Sequence, residues 1–261
     1  MKSVIKLLFS PIVILFLSGC VSTFIPPVEN FQPVNNPKVA VLVQVQDQFT
    51  HTHYGTTIFN NFVKKYDTNP SIKAEIFATI KSKLEAEVNA EVVPLEEIID
   101  AQEEELNLVA IVDKKWKYTY EGERVREALL SEGVTATIVI REMPRVAQLT
   151  CTQFGCVEFI SQGHGLFTRS FLGLDSYYSA ASYHVSAEII SQPVDLTVLP
   201  GLSRFNRMMG QFNELDIEDP ADFSNLDGSF FIPVRAELTR YFEQLAFEVS
   251  VYLEGKFEKK F

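Results

Sequence analysis

The chain has 261 residues, with 34 acidic against 23 basic side chains, a formal net charge of −11 and a pI near 4.9. A surface that acidic repels nucleic acid and anionic headgroups, which excludes both as partners recruited by overall charge. Hydrophobic residues at 46% suffice for a substantial core, and 21 Phe with nine Tyr against one Trp point to β-rich packing.

Lys2 and Lys6 open the chain, an apolar run follows from Leu7 to Leu17 around Pro11, and Leu17-Ser18-Gly19-Cys20 closes it. That order is the layout of an export signal. The run falls short of the ~20 apolar residues a spanning helix needs, so it reads as a removable leader. The four closing residues resemble the lipobox of bacterial lipoproteins. The resemblance implies cleavage between Gly19 and Cys20, a diacylglyceryl group on the Cys20 sulfur and an acylated new amino terminus, hence metabolic palmitate incorporation. Val21 and Ser22, with no Asp in first place, imply by the same analogy an outer-membrane lipoprotein facing the periplasm. The plainer alternative is an ordinary signal with an incidental cysteine. Loss of Lys2 and Lys6 with the leader lowers the basic count from 23 to 21 against 34 acidic residues, a balance of −13. Anchoring therefore falls to the lipid, where each buried methylene contributes ~0.8 kcal/mol and two chains hold stably.

The expected organisation is a signal over residues 1–19, a lipidated Cys20 with a Pro-rich tether to residue 37, one α/β domain over 38–255 and a charged tail over 256–261. Extended at ~3.1 Å per residue, the tether would reach about 50 Å. Val39 to Val45 reads as a strand buried on both faces. After a polar loop, Asn69-Pro70 predicts a cap and first turn, and Ile72, Ile76, Ile80, Leu84 and Val88 form a helical stripe. Glu91 to Val93 predicts a strand, Pro94 to about Glu104 an acidic helix, and Leu106 to Val112 another buried strand. This alternation predicts a parallel, right-handed βαβαβ unit in a mixed sheet.

From Val134 onward the pattern turns antiparallel. Val134 to Glu142, Arg145 to Cys151, Val157 to Ser161, Leu166 to Leu172 and Tyr177 to Ile190 read as strands between Pro or Gly turns. In the last of these, Tyr177, Ala181, Tyr183, Val185, Ala187 and Ile189 share one face, while Ser182, His184, Ser186 and Glu188 share the other. Val194 to Leu199 adds a strand, Gly201 to Asp227 is a long polar segment, and Pro233 opens a packing helix that ends at Gly255.

With Cys20 lipidated, Cys151 and Cys156 remain, with four residues including Gly155 between them, and predict a disulfide across a hairpin tip. The spacing is not the C-x-x-C of a redox pair. His51 and His53 stand two apart after the first strand, so extended chain puts both rings on one side. As metal ligands they would need a third group such as Asp47; the plainer reading is a polar loop. His51, His53, Tyr54 and Thr57 are the candidate ligand or partner contacts, because that segment lies at the carboxyl end of the first strand, where open α/β sheets bind ligands. Gly201-Leu202-Ser203-Arg204-Phe205 lacks the final glycine of a nucleophile elbow, and no phosphate-cradling loop occurs. The acidic stretch Glu214, Asp216, Glu218, Asp219 and Asp222 lacks EF-hand spacing and reads as a solvated loop, as does Glu103 to Glu105. No catalytic residue, metal site or cofactor is assigned.

The sequence thus favours a non-enzymatic envelope lipoprotein that binds another envelope protein as a scaffold or accessory of an assembly or export system. The first strand, the helix after Asn69 and Val92-Val93-Pro94-Leu95-Glu96 resemble the periplasmic domain of curli-secretion-channel-type lipoproteins. In that family identical subunits each contribute strands to one outer-membrane pore, which implies a homo-oligomer. An enzymatic alternative is a hydrolase of envelope polymers using carboxylates or a His51/His53 metal site, and a lipid or small-ligand carrier is a third.

Overall fold

Lys38–Gln44 (β1) lies inside a five-stranded sheet, one strand in from an edge, because its β-branched run gives both faces something to bury. The computed structural model describes residues 24–28, 32–100, 106–152, 155–161, 163–207 and 211–256. β1 pairs in parallel with Glu91–Pro94 (β4) on one side and Val134–Glu142 (β7) on the other. Beyond β7, Tyr183–Ile189 (β12) and the short Val194–Asp195 (β13) continue the sheet antiparallel. The domain is mixed α/β, as expected.

The βαβαβ unit is present with different members. Its first helix, Ile72–Val88 (α1), buries Ile72, Ile76, Ile80 and Leu84, but its cap is Ser71, whose hydroxyl accepts from the Ala74 amide. Asn69-Pro70 is a cis pair just outside the helix. The acidic helix expected after Pro94 reduces to one 3-10 turn at Leu95–Glu97, and residues 101–105 lie outside the described residues. The second helix is instead Tyr120–Ser131 (α2), and the third parallel strand is β7. Val109–Val112 (β5) folds back on Lys115–Tyr118 (β6) as a separate hairpin.

One face of this sheet carries Val39, Val41, Ile138, Ile140, Val185, Ala187 and Ile189 against α1 and the long C-terminal helix Ile232–Leu253 (α4). The other carries Ala40, Leu42 and Val139 against α2 and the Leu106–Val109 segment. Glu188 is buried on that second face, where its Oε1 accepts from the Leu108 and Val109 amides, both at 3.0 Å. Those two bonds fix the entry to the β5–β6 hairpin. Burial, with Asp195 adding to it, pushes the Glu188 carboxyl up to about 8.

A second five-stranded sheet extends the first. Gln48–Tyr54 (β2) pairs antiparallel with Phe62–Asp67 (β3) and parallel with His164–Phe171 (β10). β10 pairs with Leu174–Ala181 (β11), and Gln211–Leu215 (β14) lies outside it. A side chain at Gly165 would drive its Cβ to 1.8 Å from the Thr50 carbonyl oxygen, so only glycine lets β10 approach β2 there. The single strand expected from Tyr177 to Ile190 breaks at Ser182, where the chain passes from β11 in the second sheet to β12 in the first. Its face assignment survives the break, with Tyr177, Ala181, Tyr183, Val185, Ala187 and Ile189 all in the main core. The segment read as polar holds the five-residue helix Ser203–Arg207 (α3) and β14. Only Val194–Asp195 of the expected 194–199 strand is extended; Leu196–Val198 is a 3-10 turn.

Arg145–Thr152 (β8) and Gly155–Ser161 (β9) form a two-stranded sheet of their own. The backbone register sets Cys151 directly opposite Cys156; their side chains lie outside the described ones. At the amino end, Phe24–Val28 lies against the domain rather than extending from it. Ile25 and Val28 pack on the core, and the Pro26 carbonyl accepts from Trp116 Nε1 at 3.1 Å. The leader and Cys20 lie outside the described residues, among which no helix is long and apolar enough to cross a membrane.

Candidate functional site

β2 brings His51 and His53 onto one face of the second sheet, as alternation requires, and their ring centroids are 6.1 Å apart. Across the parallel register, Thr168 stands opposite His53. Its hydroxyl lies 2.9 Å from His51 Nε2 and 2.6 Å from His53 Nδ1. With both rings neutral, the hydroxyl donates to one nitrogen and accepts from the other. Burial holds both imidazoles below their ordinary range, His51 down to about 4 with the His53 and Lys64 charges contributing. Phe62 stacks on His53 and Phe223 covers it at 4.6 Å, so the pair is sealed inside. Asp47 is turned elsewhere, accepting from the Ser71 hydroxyl at the start of α1. Among the described residues no three His, Cys, Asp or Glu side chains converge on a common point.

The acidic stretch is equally dispersed. Asp219 accepts from the Tyr177 hydroxyl at 2.7 Å, and Asp222 closes a turn through Ser224. The loop bearing them covers the histidine face, with the Lys64 ammonium donating to the Ser224 carbonyl. His164 is buried separately against Phe49 and Tyr183; both its ring nitrogens lack a partner, and burial pushes it down to about 4.

The loop that follows β2 presents large apolar side chains outward. Tyr54 packs on Phe167, and Thr57 precedes a 3-10 turn at Ile58–Asn60 that leaves Ile58 77% and Phe59 92% exposed. Because β2 and β10 are parallel neighbours, the turn joining β10 to β11 comes out beside this loop. Thr56 ties the two together, its Oγ1 accepting from the Leu172 amide at 3.1 Å. Phe171, Leu172 and Leu174 are exposed there, the last two at 75%. Leu172 and Gly173 both have positive φ, 52° and 80°, the two-residue geometry for which Asn-Gly is the favoured pair. A leucine in that corner costs ~1–2 kcal/mol of backbone energy while its side chain stands largely in solvent.

Comparison with protein-family models, curated proteins and solved structures gives no match. Function must therefore be read from the geometry of this chain alone.

An open concavity lies at the carboxyl ends of the parallel neighbours β1 and β7, the end of a parallel sheet where ligands commonly bind. It is an open crevice of about 810 Å³, floored by Leu42 to Gln46 and rimmed by Glu96, Asp100, Glu142 and Lys73. Glu142 is fixed by the Gln46 backbone amide at 2.8 Å and the Gln46 side-chain amide at 2.7 Å. Sequence reasoning took the segment after the first strand as a polar loop with its histidines as contacts, whereas residues 48–54 form the strand β2 and bury both rings. It missed Ile58, Phe59 and the Leu172 turn, for which Leu172-Gly173 between two alternating runs was an available signal. The crevice carboxylates come from two separate segments, Glu96 with Asp100 and Glu142 alone, and no local pattern joins the two.

Proposed function

We propose that the protein is a lipid-anchored, outer-membrane lipoprotein facing the periplasm, non-enzymatic, that holds a partner envelope protein at the apolar end of its second sheet. The carrying observation is the pair of interlocked loops that expose Ile58, Phe59, Phe171, Leu172 and Leu174 together. A cluster of bulky apolar side chains on protruding turns marks a contact surface rather than incidental exposure. Leucine at a left-handed corner supports this, since folding alone favours Asn or Gly there. The test is a photo-reactive phenylalanine analogue placed at Phe59 or Leu174 in living cells, with Lys81 on α1 as the exposed control. Adducts to one partner from the two loop positions, and none from Lys81, are expected. Failure of both loop positions to cross-link above the control would sink the proposal, and an adduct of twice the chain mass would convert it to the homo-oligomeric, pore-subunit reading.

One observation favours a second reading, hydrolysis of an envelope polymer: Glu96, Asp100 and Glu142 share the rim of a crevice at the carboxyl ends of β1 and β7. Release of soluble fragments from purified cell-wall glycan, abolished by Glu142→Gln, would support it; no release would remove it.

A further inference from the structure

The β5–β6 hairpin departs from the charge of the rest of the molecule. Within Val112-Asp113-Lys114-Lys115-Trp116-Lys117, three lysines stand against one aspartate, in a mature chain whose balance is −13. All three lysines are exposed. The Asp113–Lys117 ion pair at 3.4 Å is exposed as well, so it withdraws little of the local positive field. Asp113 and Lys114 both have positive φ, 53° and 60°, and the register closes Val112 on Lys115. Lys114 thus stands at the outermost corner of a two-residue turn, where glycine is the usual occupant.

The amino-terminal segment is laid on this same hairpin. The Lys114 ammonium sits 5.6 Å from the Phe24 ring centroid, and Trp116 Nε1 donates to the Pro26 carbonyl. Phe24 is half exposed. Only four residue steps separate Cys20 from Phe24, and at ~3.6 Å each the chain between them reaches at most about 14 Å. A lipid on Cys20 therefore brings this hairpin, and no distant part of the surface, to the level of the headgroups. Aromatic side chains flanked by lysines are suited to that layer.

We propose that the Val109–Tyr118 hairpin, with Phe24 laid against it, is the face the protein turns to its own membrane, where Lys114, Lys115 and Lys117 contact anionic lipid phosphates. The inference rests on the lipid-anchor reading and goes beyond it, because an anchor alone fixes position and leaves orientation free. An anionic bilayer repels the remaining acidic surface and attracts this one patch, so the two effects turn the molecule the same way. Tyr118 donates to the Ile190 carbonyl, which ties the hairpin to the end of the first sheet where β1 and β7 begin. The apolar loops lie at the other end of the β11–β12 path, so orienting the hairpin inward directs them away from the bilayer.

Trp116 is the only tryptophan and serves as an intrinsic probe. The full lipidated protein is reconstituted into phosphatidylcholine vesicles with or without phosphatidylglycerol, each carrying a lipid brominated near the glycerol, and floated on a gradient. Quenching of Trp116 is expected in the anionic vesicles only, with reversal at about 1 M salt, where the Debye length is about 3 Å. Each lysine contributes about fivefold to the docked population, so Lys114→Gln with Lys115→Gln should lower it about twenty-five-fold while flotation persists. Flotation with no quenching in anionic vesicles, or quenching unchanged in the double variant, overturns the inference and leaves the anchor standing. Failure of the protein to float instead identifies the anchor reading as the one that failed.

Discussion

Stability should peak near pH 6.5 and fall on both sides, for reasons residing in three buried groups. Burial takes His51 and His164 from 6.5 down to about 4. On acidification the unfolded chain therefore protonates first, and each histidine removes ~1.4 kcal/mol of stability per pH unit between 6.5 and about 4. Glu188 has the opposite sign. Its folded value is pushed up from 4.5 to about 8, so its contribution is complete below 4.5 and is lost as pH rises towards 8, again at ~1.4 kcal/mol per unit. Between 4.5 and 6.5 two histidines outweigh one glutamate, leaving a net loss of about 1.4 kcal/mol per unit on acidification. His53, also lowered, adds to that loss, and Asp195, raised by burial, opposes it. Above 6.5 only Glu188 acts, and stability should fall by about 2 kcal/mol by pH 8. Urea unfolding at fixed ionic strength, followed by Trp116 emission and far-UV circular dichroism, measures both limbs. His164→Phe, which keeps an aromatic ring against Phe49, should flatten the acid limb. Glu188→Gln keeps an oxygen for the Leu108 and Val109 amides and should abolish the alkaline limb. Wild-type and Glu188→Gln curves that superimpose from pH 6.5 to 8 would refute the reasoning.

Leu172→Asn should raise stability by about 1 kcal/mol by relieving the left-handed corner, and thermal unfolding would register it as a higher Tm. The same change should reduce partner cross-linking from Phe59. Non-reducing peptide mapping should find Cys151 joined to Cys156, which the register sets opposite each other, and Cys151→Ser should cost less than ~3 kcal/mol because the closed loop is short. Cys20→Ser should abolish palmitate incorporation and release the protein from the membrane fraction; unchanged incorporation would remove the lipobox reading.

The parts of the fold legible in the sequence are those where one physical signal acts alone. The four-residue stripe from Ile72 to Leu84 and the apolar run of β1 each specify an element without help from distant chain. The β2–β3 hairpin was illegible because its strands alternate polar residues with buried ones. His51 and Thr50 are buried only because the Phe223 loop and the Gly165 approach cover them. The break at Ser182 was hidden for a related reason. Alternation runs unbroken across it, so periodicity could not reveal that Ala181 and Tyr183 belong to different sheets. α2 escaped because its apolar positions are few, with Val125 and Leu129 supplying most of its buried face. Of the site, the segment after β1 drew notice by its position but not as the strand β2, because the sides its residues face were set by tertiary covering.

Two turns, at opposite ends of the β11–β12 path, both contain a residue their backbone would not choose. In Asp113-Lys114 and Leu172-Gly173, positive φ at both corners favours Asn or Gly, yet an exposed lysine occupies one and an exposed leucine the other. Lys114 gains a contact with the half-exposed Phe24, whereas the Leu172 side chain stands 75% exposed, so packing offsets little of the backbone cost at the second corner. Strain retained without internal compensation is expected where a side chain is required outside the molecule. The chemistry differs as the two destinations would demand: cationic beside the terminus proposed to carry lipid, apolar at the far end of the β11–β12 path. A lipoprotein that needed only to stay attached would require neither residue. One that must stand in a fixed orientation and offer a grip to a partner requires both, and replacing each corner with asparagine separates the two demands experimentally.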